Sequence, residues 1–301
     1  MKAVFARLPT AVDTRIRVFA IATLVAQILI VGTGGAVRLT GSGLGCPTWP
    51  RCTDESFVTT PEMGIHGIIE FGNRLLTFVL VAIAIIMFVL VLRIRRERRD
   101  LFVLSLLIGL YVPIQAIIGG ITVLTNLNPY VVGLHFLASV VLVSLAAMLV
   151  YRVFIGPRGD KTLVPLWYSA LVHATSVLVA VTILVGILVT GSGPHAGDGG
   201  AARNGLDSEF LQHVHSWPAY ATFAATLLLV VGAWRFRHVR LLRFTIVLLL
   251  VEGVQILVGL AQARLGLPEI LVGIHMVLAC CLAAAMTAVV LALREPRHVE
   301  G

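Results

Sequence analysis

Three histidines within apolar segments are the residues of this sequence most suited to chemistry. His135, His215 and His275 each lie near one end of such a segment. An isolated histidine in an apolar helix is about as often a packing residue with a satisfied hydrogen bond as it is a ligand. Histidines at repeated positions favour a site, because a neutral imidazole coordinates a metal ion, either alone or within a macrocycle. The pattern therefore indicates metal coordination.

A second polar cluster begins another apolar segment. His66, Glu70, Asn73 and Arg74 are spaced i, i+4, i+7 and i+8, which places them on one face of a helix. Polar side chains are costly in an apolar environment, so we expect this face to line the interior of a helix bundle. Glu70 is suited to stabilising developing positive charge or to accepting a proton. The alternative is a structural ion pair with Arg74, one turn later.

The composition shows which elements must position these residues. Of the 301 residues, 58% are hydrophobic and only 13% are charged, whereas a soluble domain has about 25% charged residues. The chain is therefore predicted to be an all-α membrane protein, with eight stretches long enough to cross the bilayer. The predicted spans cover residues 17–38, 64–92, 101–124, 130–153, 165–190, 208–234, 242–264 and 269–293.

The basic residues predict the orientation of these spans. The net charge of +8 would suggest nucleic-acid binding in a soluble protein, but the basic residues lie in short runs between apolar stretches. Of the 23 Lys and Arg residues, 18, including Lys2, lie at the termini and in the connections between spans 2 and 3, 4 and 5, and 6 and 7. The positive-inside rule then places both termini in the cytoplasm and connections 1–2, 3–4, 5–6 and 7–8 outside. The chain is a multi-pass cell membrane protein in contact with lipid, and no nucleic-acid partner is expected.

An internal repeat divides the chain. Residues 115–119 (Gln-Ala-Ile-Ile-Gly) reappear as residues 255–259 (Gln-Ile-Leu-Val-Gly), and Val132-Gly-Leu-His135 reappears as Val272-Gly-Ile-His275, both at an offset of 140. Thr-Gly-Ser-Gly also ends both span 1 and span 5. We therefore predict two tandem, pseudo-symmetric four-helix bundles, residues 1–157 and 158–301.

The repeat also suggests how a macrocycle is held. Spans 6 and 8 both start on the outer side, so His215 and His275 can meet at a similar depth, as axial ligands of a haem iron do. A zinc site would need further convergent ligands. His213 competes with His215, but it points about 200° away around the helix. Matching residues 70–73 to residues 212–215 favours His215.

Cys46 and Cys52 lie in the first outer connection, separated by a Pro-x-Trp-Pro turn. The turn is able to bring their Cα atoms within bridging distance in an oxidising compartment, so we predict a disulfide bond. Cys280 and Cys281, inside span 8, are expected to be packing residues.

The chain resembles the haem A synthase family. The likeness rests on the motifs Gly41-Ser-Gly-Leu-Gly-Cys-Pro-Thr-Trp-Pro-Arg-Cys52, Ile69-Glu-Phe-Gly-Asn-Arg74, Gly133-Leu-His135, Thr190-Gly-Ser-Gly193 and Gly273-Ile-His275. With the eight spans it covers essentially the whole chain, and residues 70–74 (Glu-Phe-Gly-Asn-Arg) give it the form of an actinobacterial-type variant. The resemblance implies an enzyme that oxidises the C8 methyl group of haem O to the formyl group of haem A, by successive hydroxylations, for cytochrome oxidase.

The resemblance also implies roles for individual residues. His215 and His275 become the axial ligands of a b-type haem, His135 the histidine facing substrate haem, and Glu70 the catalytic carboxylate. The sequence departs from the better-known pattern at Asn73, where many relatives place a second substrate-side histidine.

Other assignments remain open within the resemblance. His66 is a candidate to compensate for Asn73, with an interfacial polar histidine as the alternative. Arg74 is a candidate partner for a haem propionate, because its planar fork suits carboxylates, and Arg38 is a weaker one. The disulfide is either redox-active or a loop staple. Haem O synthase and cytochrome oxidase assembly factors are the implied partners, and an oligomer is left open.

Two other functional classes compete with the enzyme. A bis-histidine b-type membrane cytochrome for electron transfer would hold two permanent haems, and Asn73 argues against a full second ligand pair. A transporter or assembly factor would also suit a duplicated bundle, but no span is broken by Pro or Gly at mid-membrane.

Overall fold

The computed structural model describes residues 6–297, and Lys2 lies outside them. Eight helices are long and apolar enough to cross a membrane, which confirms the all-α membrane prediction. They are α1 (Thr14–Leu39), α2 (Gly64–Val91), α3 (Arg99–Leu124), α4 (Pro129–Phe154), α5 (Leu166–Ser192), α6 (Ser208–Arg235), α7 (Val239–Arg264) and α8 (Glu269–Ala292). The predicted ends agree within three residues.

Local chemistry sets several helix starts. Asp13 precedes α1 and accepts a hydrogen bond from the Ile16 N–H, which satisfies a free donor of the first turn. Slight burial opposes ionisation of Asp13, but this hydrogen bond and Arg15 hold the pKa of its carboxyl below its usual value. Asn128 and Asp207 cap α4 and α6 in the same way. Helices α3 and α6 continue through Pro113 and Pro218 without a break.

The helices pack in two sets of four. In α1–α4, which we call the N-terminal half, each helix contacts the next and α4 returns to α1. In α5–α8, the C-terminal half, the same ring of contacts is closed by α8 against α5. Contacts of α4 with α5 and α8, and of α1 with α8, join the halves. Each half therefore has inward helix faces on which a site can be built, and one buried apolar cluster crosses the boundary between the halves.

Three short elements of the described residues lie outside this helical framework. A 3₁₀ turn (Pro61–Met63) leads into α2, and strands β1 (Arg158–Thr162) and β2 (Arg294–Pro296) pair antiparallel. The strand pair ties the segment before α5 to the segment after α8, which closes the C-terminal half. The sequence analysis did not predict these strands.

Candidate functional site

The interior of the C-terminal half brings two imidazole rings together. The ring centres of His215 and His275 lie 6.3 Å apart, and the ring planes are inclined by 74°. Each ring packs on a glycine of a neighbouring helix. A β-carbon at Gly186 would lie 2.9 Å from Cε1 of His215, and one at Gly259 would lie 3.1 Å from Cε1 of His275. The space for both rings therefore depends on these two glycines.

The distance between the rings suits two ligands of one iron atom. Two metal–nitrogen bonds of about 2 Å each, with roughly 1 Å from each nitrogen to its ring centre, span about 6 Å. Nδ1 of His215 and of His275 is buried and has no hydrogen-bond partner within residues 6–297. Buried polar atoms without partners are uncommon in a finished site. These two residues therefore fit the axial positions of a haem.

His213 does not share this environment. Its side chain is exposed, whereas His215 is half-buried and faces His275. The backbone carbonyl of His213 accepts a hydrogen bond from Ser216 Oγ. The geometry thus favours His215 over His213, as the helical spacing predicts.

In the N-terminal half, His135 has the same surroundings as His275 has in the C-terminal half. Gln115 Nε2 donates to the carbonyl of His135 at 3.3 Å, and Gln255 Nε2 donates to the carbonyl of His275 at 3.1 Å. The His135 ring also packs on a glycine, Gly119, where a β-carbon would lie 3.2 Å from Cε1. Nδ1 of His135 is buried without a partner in the described part of the chain. His135 and His275 are therefore equivalent in their contacts as well as in sequence.

Asn73 stands where the other half has His215. Its Oδ1 accepts a hydrogen bond from Thr33 Oγ1 at 2.7 Å, and its Nδ2 lies 3.9 Å from the position of a β-carbon on Gly34. It therefore packs on a glycine of α1, as His215 packs on a glycine of α5. A carboxamide is not a usual ligand of haem iron.

His66 lies one turn before Glu70 and is exposed. Its Nδ1 lies 2.9 Å from Oγ of Ser42, a fully buried residue. This contact joins the start of α2 to the segment after α1. The hypothesis that His66 compensates for Asn73 stays a prediction.

Glu70 is 5% exposed and uses both carboxylate oxygens. Oε2 accepts from the backbone N–H of Cys46 at 2.5 Å, and Oε1 accepts from Arg74 Nη2, also at 2.5 Å. The ion pair between Glu70 and Arg74 is therefore formed, and it is shared with the loop that precedes α2. Charge-assisted hydrogen bonds of this kind fix a carboxylate firmly.

Arg74 is occupied by the same loop. Its guanidinium donates to the carbonyls of Cys46 and Thr48, both at 3.0 Å, and of Arg51 at 3.1 Å. Arg38 is occupied too, since it donates to the carbonyls of Thr190 and of residue 195. In this arrangement both arginines position loops, and each keeps at least one N–H donor that these hydrogen bonds do not use.

The segment held by Glu70 and Arg74 is the disulfide loop, residues 46–52. The predicted disulfide is present between Cys46 and Cys52, whose Cα atoms are 4.4 Å apart. The loop places the indole of Trp49 on Gly120, where a β-carbon would lie 2.6 Å from Cε2. The adjacent glycine, Gly119, contacts His135, so the indole and the N-terminal imidazole pack on the same turn of α3.

Metal ions that need several protein ligands find no site here. Within residues 6–297, no group of three or more His, Cys, Asp or Glu side chains converges to hold a metal ion. The two facing imidazoles, His215 and His275, suit an iron that brings its own equatorial nitrogens, as haem does.

Sequence reasoning missed three features of these sites. Gln115 and Gln255 were recognised only as repeat landmarks, although their i+20 spacing to a histidine in both halves was a signal. Trp49 was seen only as part of a turn. Glu252, a buried carboxyl in α7, was not singled out, although it is the only acidic residue in the interior of spans 5–8.

Comparisons with known proteins give one family model and several named relatives. A family model described as cytochrome oxidase assembly protein matches residues 17–287. A haem A synthase of Bacillus pumilus is 33% identical over 149 residues, 48% of this chain and 46% of the relative. One of Exiguobacterium sibiricum is 25% identical over 181 residues, 59% and 60% of the two chains. One of Listeria monocytogenes is 27% identical over 140 residues, 46% of each. The chain thus spans about half the length of the curated relatives it matches.

Proposed function

The chain belongs to the family of cytochrome oxidase assembly proteins, and from this premise we propose that it is a haem A synthase. It oxidises the C8 methyl group of haem O to the formyl group of haem A by successive hydroxylations, for cytochrome oxidase. The named relatives and the shared His135 and His275 arrangement support this proposal. The observation that carries it furthest is the asymmetry of the halves. Of the two buried carboxyl groups among the described residues, Glu70 in the N-terminal half forms an ion pair and Glu252 in the C-terminal half does not.

Glu70 supplies negative charge beside the reacting methyl group. Each hydroxylation replaces a C–H bond by a C–O bond and withdraws a pair of electrons, and loss of water from the doubly hydroxylated carbon leaves the formyl group. Positive charge that develops on this carbon is stabilised by a fixed carboxylate in a site of low dielectric. Both oxygens of Glu70 already accept hydrogen bonds, which favours this electrostatic role over proton acceptance.

The C-terminal half holds the cofactor, a b-type haem. His215 and His275 would hold its iron, with Gly186 and Gly259 leaving room for the rings. When bound, this haem supplies one-electron transfer. Both Nδ1 atoms are buried away from water, and the packing on the two glycines limits how the rings can turn.

The N-terminal half holds the substrate. His135 would hold haem O through its iron, and Asn73, which is hydrogen-bonded to Thr33, would offer no second imidazole. A single ligand suits a molecule that must enter and leave. We assign Arg74 and His66 to this half as binding residues, with Arg74 acting through the disulfide loop.

The orientation and partners complete the proposal. Residues 1–157 form the substrate half and residues 158–301 the cofactor half. Both termini lie in the cytoplasm, and the disulfide loop lies outside, because the basic residues concentrate in the opposite connections. Haem O synthase is the expected source of substrate, and cytochrome oxidase assembly factors are the expected recipients of product.

Analysis of extracted porphyrins tests the activity. The protein is produced in cells that make haem O and in cells that do not, and the haems are separated by chromatography. We expect formyl-bearing haem only when both the protein and haem O are present. Haem O that stays unchanged alongside a protein with a complete low-spin haem spectrum would contradict the enzyme and favour a b-type cytochrome.

A further inference from the structure

A buried carboxyl lies midway along α7. Glu252 is 4% exposed, and its Oε1 accepts a hydrogen bond from Thr226 Oγ1 of α6 at 2.8 Å. Its Oε2 is buried and has no hydrogen-bond partner within the part of the chain that the structure describes. Every ion pair formed by residues 6–297 involves other carboxylates, so Glu252 has no described cation beside it.

A lone carboxylate in this position is unstable. Removing it from water inside a bilayer costs several kcal/mol unless a positive charge compensates it. Glu252 is therefore neutral when nothing positive is near it, with Oε2 as the atom that carries the proton. Intramembrane ionisable residues of this kind usually serve a function.

Glu252 lies on the inner faces that also carry the two imidazoles. Glu252, Gln255 and Gly259 are spaced i, i+3 and i+7 on α7, and Gly259 contacts the His275 ring. Seven residues of helix place the carboxyl about 10 Å below that contact. Thr226 lies eleven residues after His215, about three turns, on the same face of α6. The carboxyl is thus directly beneath the site that His215 and His275 form.

Few other ionisable groups lie near this depth. The helices in contact with α7 are α6 and α8. On α6 the ionisable group above Glu252 is His215, and on α8 the groups are His275, Cys280 and Cys281. On α7 itself, Arg240 and Arg243 lie near the cytoplasmic end, roughly 13–18 Å along the helix from Glu252. No other acidic residue occurs in the interior of α5–α8.

We propose that Glu252 is a proton-binding residue whose protonation follows the oxidation state of the iron held by His215 and His275. The proposal rests on the proposed function, which places a haem between these residues. An oxidised haem core carries a net positive charge that stabilises the Glu252 carboxylate. When a one-electron reductant neutralises that charge, Glu252 takes a proton from the aqueous phase and an O–H bond forms. Reoxidation releases the proton.

Redox titration at several pH values tests this coupling. The purified protein with its bound haem is titrated with mediator dyes between about pH 6 and pH 9. We expect the ratio of reduced to oxidised haem, at a fixed applied potential, to fall several-fold per pH unit over part of this range. Full coupling corresponds to a tenfold change, about 59 mV for one electron.

Glu252→Gln keeps the shape of the side chain and removes the proton-binding site. We expect this variant to lose the pH dependence, and Glu269→Gln, an exposed carboxyl at the start of α8, to keep it. A pH-independent potential in the unaltered protein, or an unchanged pH dependence in Glu252→Gln, would overturn the coupling alone. A preparation that binds no haem would overturn the haem site and the coupling together.

Two further measurements do not depend on the folding of the Glu252→Gln variant. Thr226→Val removes only the hydrogen bond to Oε1, which favours the ionised form, so the pH-dependent range should move to higher pH. The reduced-minus-oxidised infrared spectrum of the unaltered protein should gain a protonated-carboxyl band on reduction. A range that stays in place in Thr226→Val, or the absence of this band, would count against Glu252.

Discussion

The two halves of the molecule share one side of a site and differ on the other. In both, a glutamine holds the carbonyl of a histidine whose ring packs on glycine. The C-terminal half faces His275 with a second imidazole, whereas the N-terminal half has Asn73 at the corresponding place and adds the Glu70 cluster and the disulfide loop. On the proposed function, the difference is between a half that keeps its haem with two imidazoles and a half that offers its substrate one imidazole and a buried ion pair.

Removing an imidazole from the C-terminal half should have the largest effect. His215→Ala and His275→Ala each leave one axial position empty, so we expect complete loss of the low-spin b-type absorption spectrum. His213→Ala, at the exposed neighbouring position, should leave the spectrum intact. A full spectrum in His275→Ala would remove the basis for treating this half as the cofactor half.

The next largest effect should come from Glu70 in the N-terminal half. Glu70→Gln keeps the size of the side chain but removes its charge, and we expect formation of formyl-bearing haem to slow by about 10²–10³-fold. The spectrum of the C-terminal half should not change, because no contact of Glu70 reaches that half. Equal losses of spectrum and activity would indicate a folding defect and break the division of roles.

Asn73→His tests the halves by making them alike. A second imidazole opposite His135 should trap substrate haem, so bound haem should rise from about one toward two molecules per chain while turnover falls. Haem content per protein, measured by pyridine haemochrome, checks this. Asn73→Gln, which supplies no imidazole, is the control, and an unchanged haem content in Asn73→His would show that the ring does not reach the substrate.

Gly120→Leu tests the role of the Trp49 indole, which packs on Gly120 in the N-terminal half. Leucine is chosen because Leu260 is the corresponding residue of the C-terminal half. The leucine side chain would displace Trp49. We expect the indole then to lose a contact with haem O worth about 1 kcal/mol, which should raise KM for haem O about fivefold. Gly109→Leu, on the same helix where a β-carbon meets no atom within 4 Å, is the matched control. Equal KM values would mean that Trp49 does not contact the substrate.

The smallest effect should follow removal of the disulfide. A bridge that closes a loop of this length contributes about 2 kcal/mol, so Cys46→Ser with Cys52→Ser should lower Tm by a few degrees. Circular dichroism during heating measures the change, and a reducing agent should reproduce it only in the unaltered protein. A larger fall that also abolished the C-terminal haem spectrum would show that the halves do not unfold separately.

The helices were predictable because the bilayer imposes length and apolarity on each of them. All eight spans agree with α1–α8 within three residues. The strands β1 and β2 were not predictable, because residues 158–162 are almost all polar and lack the alternation that indicates a strand. Their pairing depends on the fold bringing the end of α8 back to the start of α5.

The candidate site was predictable where spacing along one helix decides contacts. The i, i+4 relation of Glu70 and Arg74 predicts their ion pair, which is formed. Contacts between a loop and a helix were not predictable, because they depend on how residues 46–52 fold back over α2 and α3. The hydrogen bonds from Arg74 to loop carbonyls and the packing of Trp49 on Gly120 are contacts of this kind.

Arg38 links the two halves of the molecule. This residue of α1 donates to the carbonyls of Thr190 and of residue 195, so one guanidinium fastens the outer end of the first half to that of the second. Contacts of α4 and α1 with α8 brace the same boundary along its length. If the proposed haem of the C-terminal half passes electrons to the N-terminal half, these contacts keep the thickness of protein that an electron crosses constant from one turnover to the next.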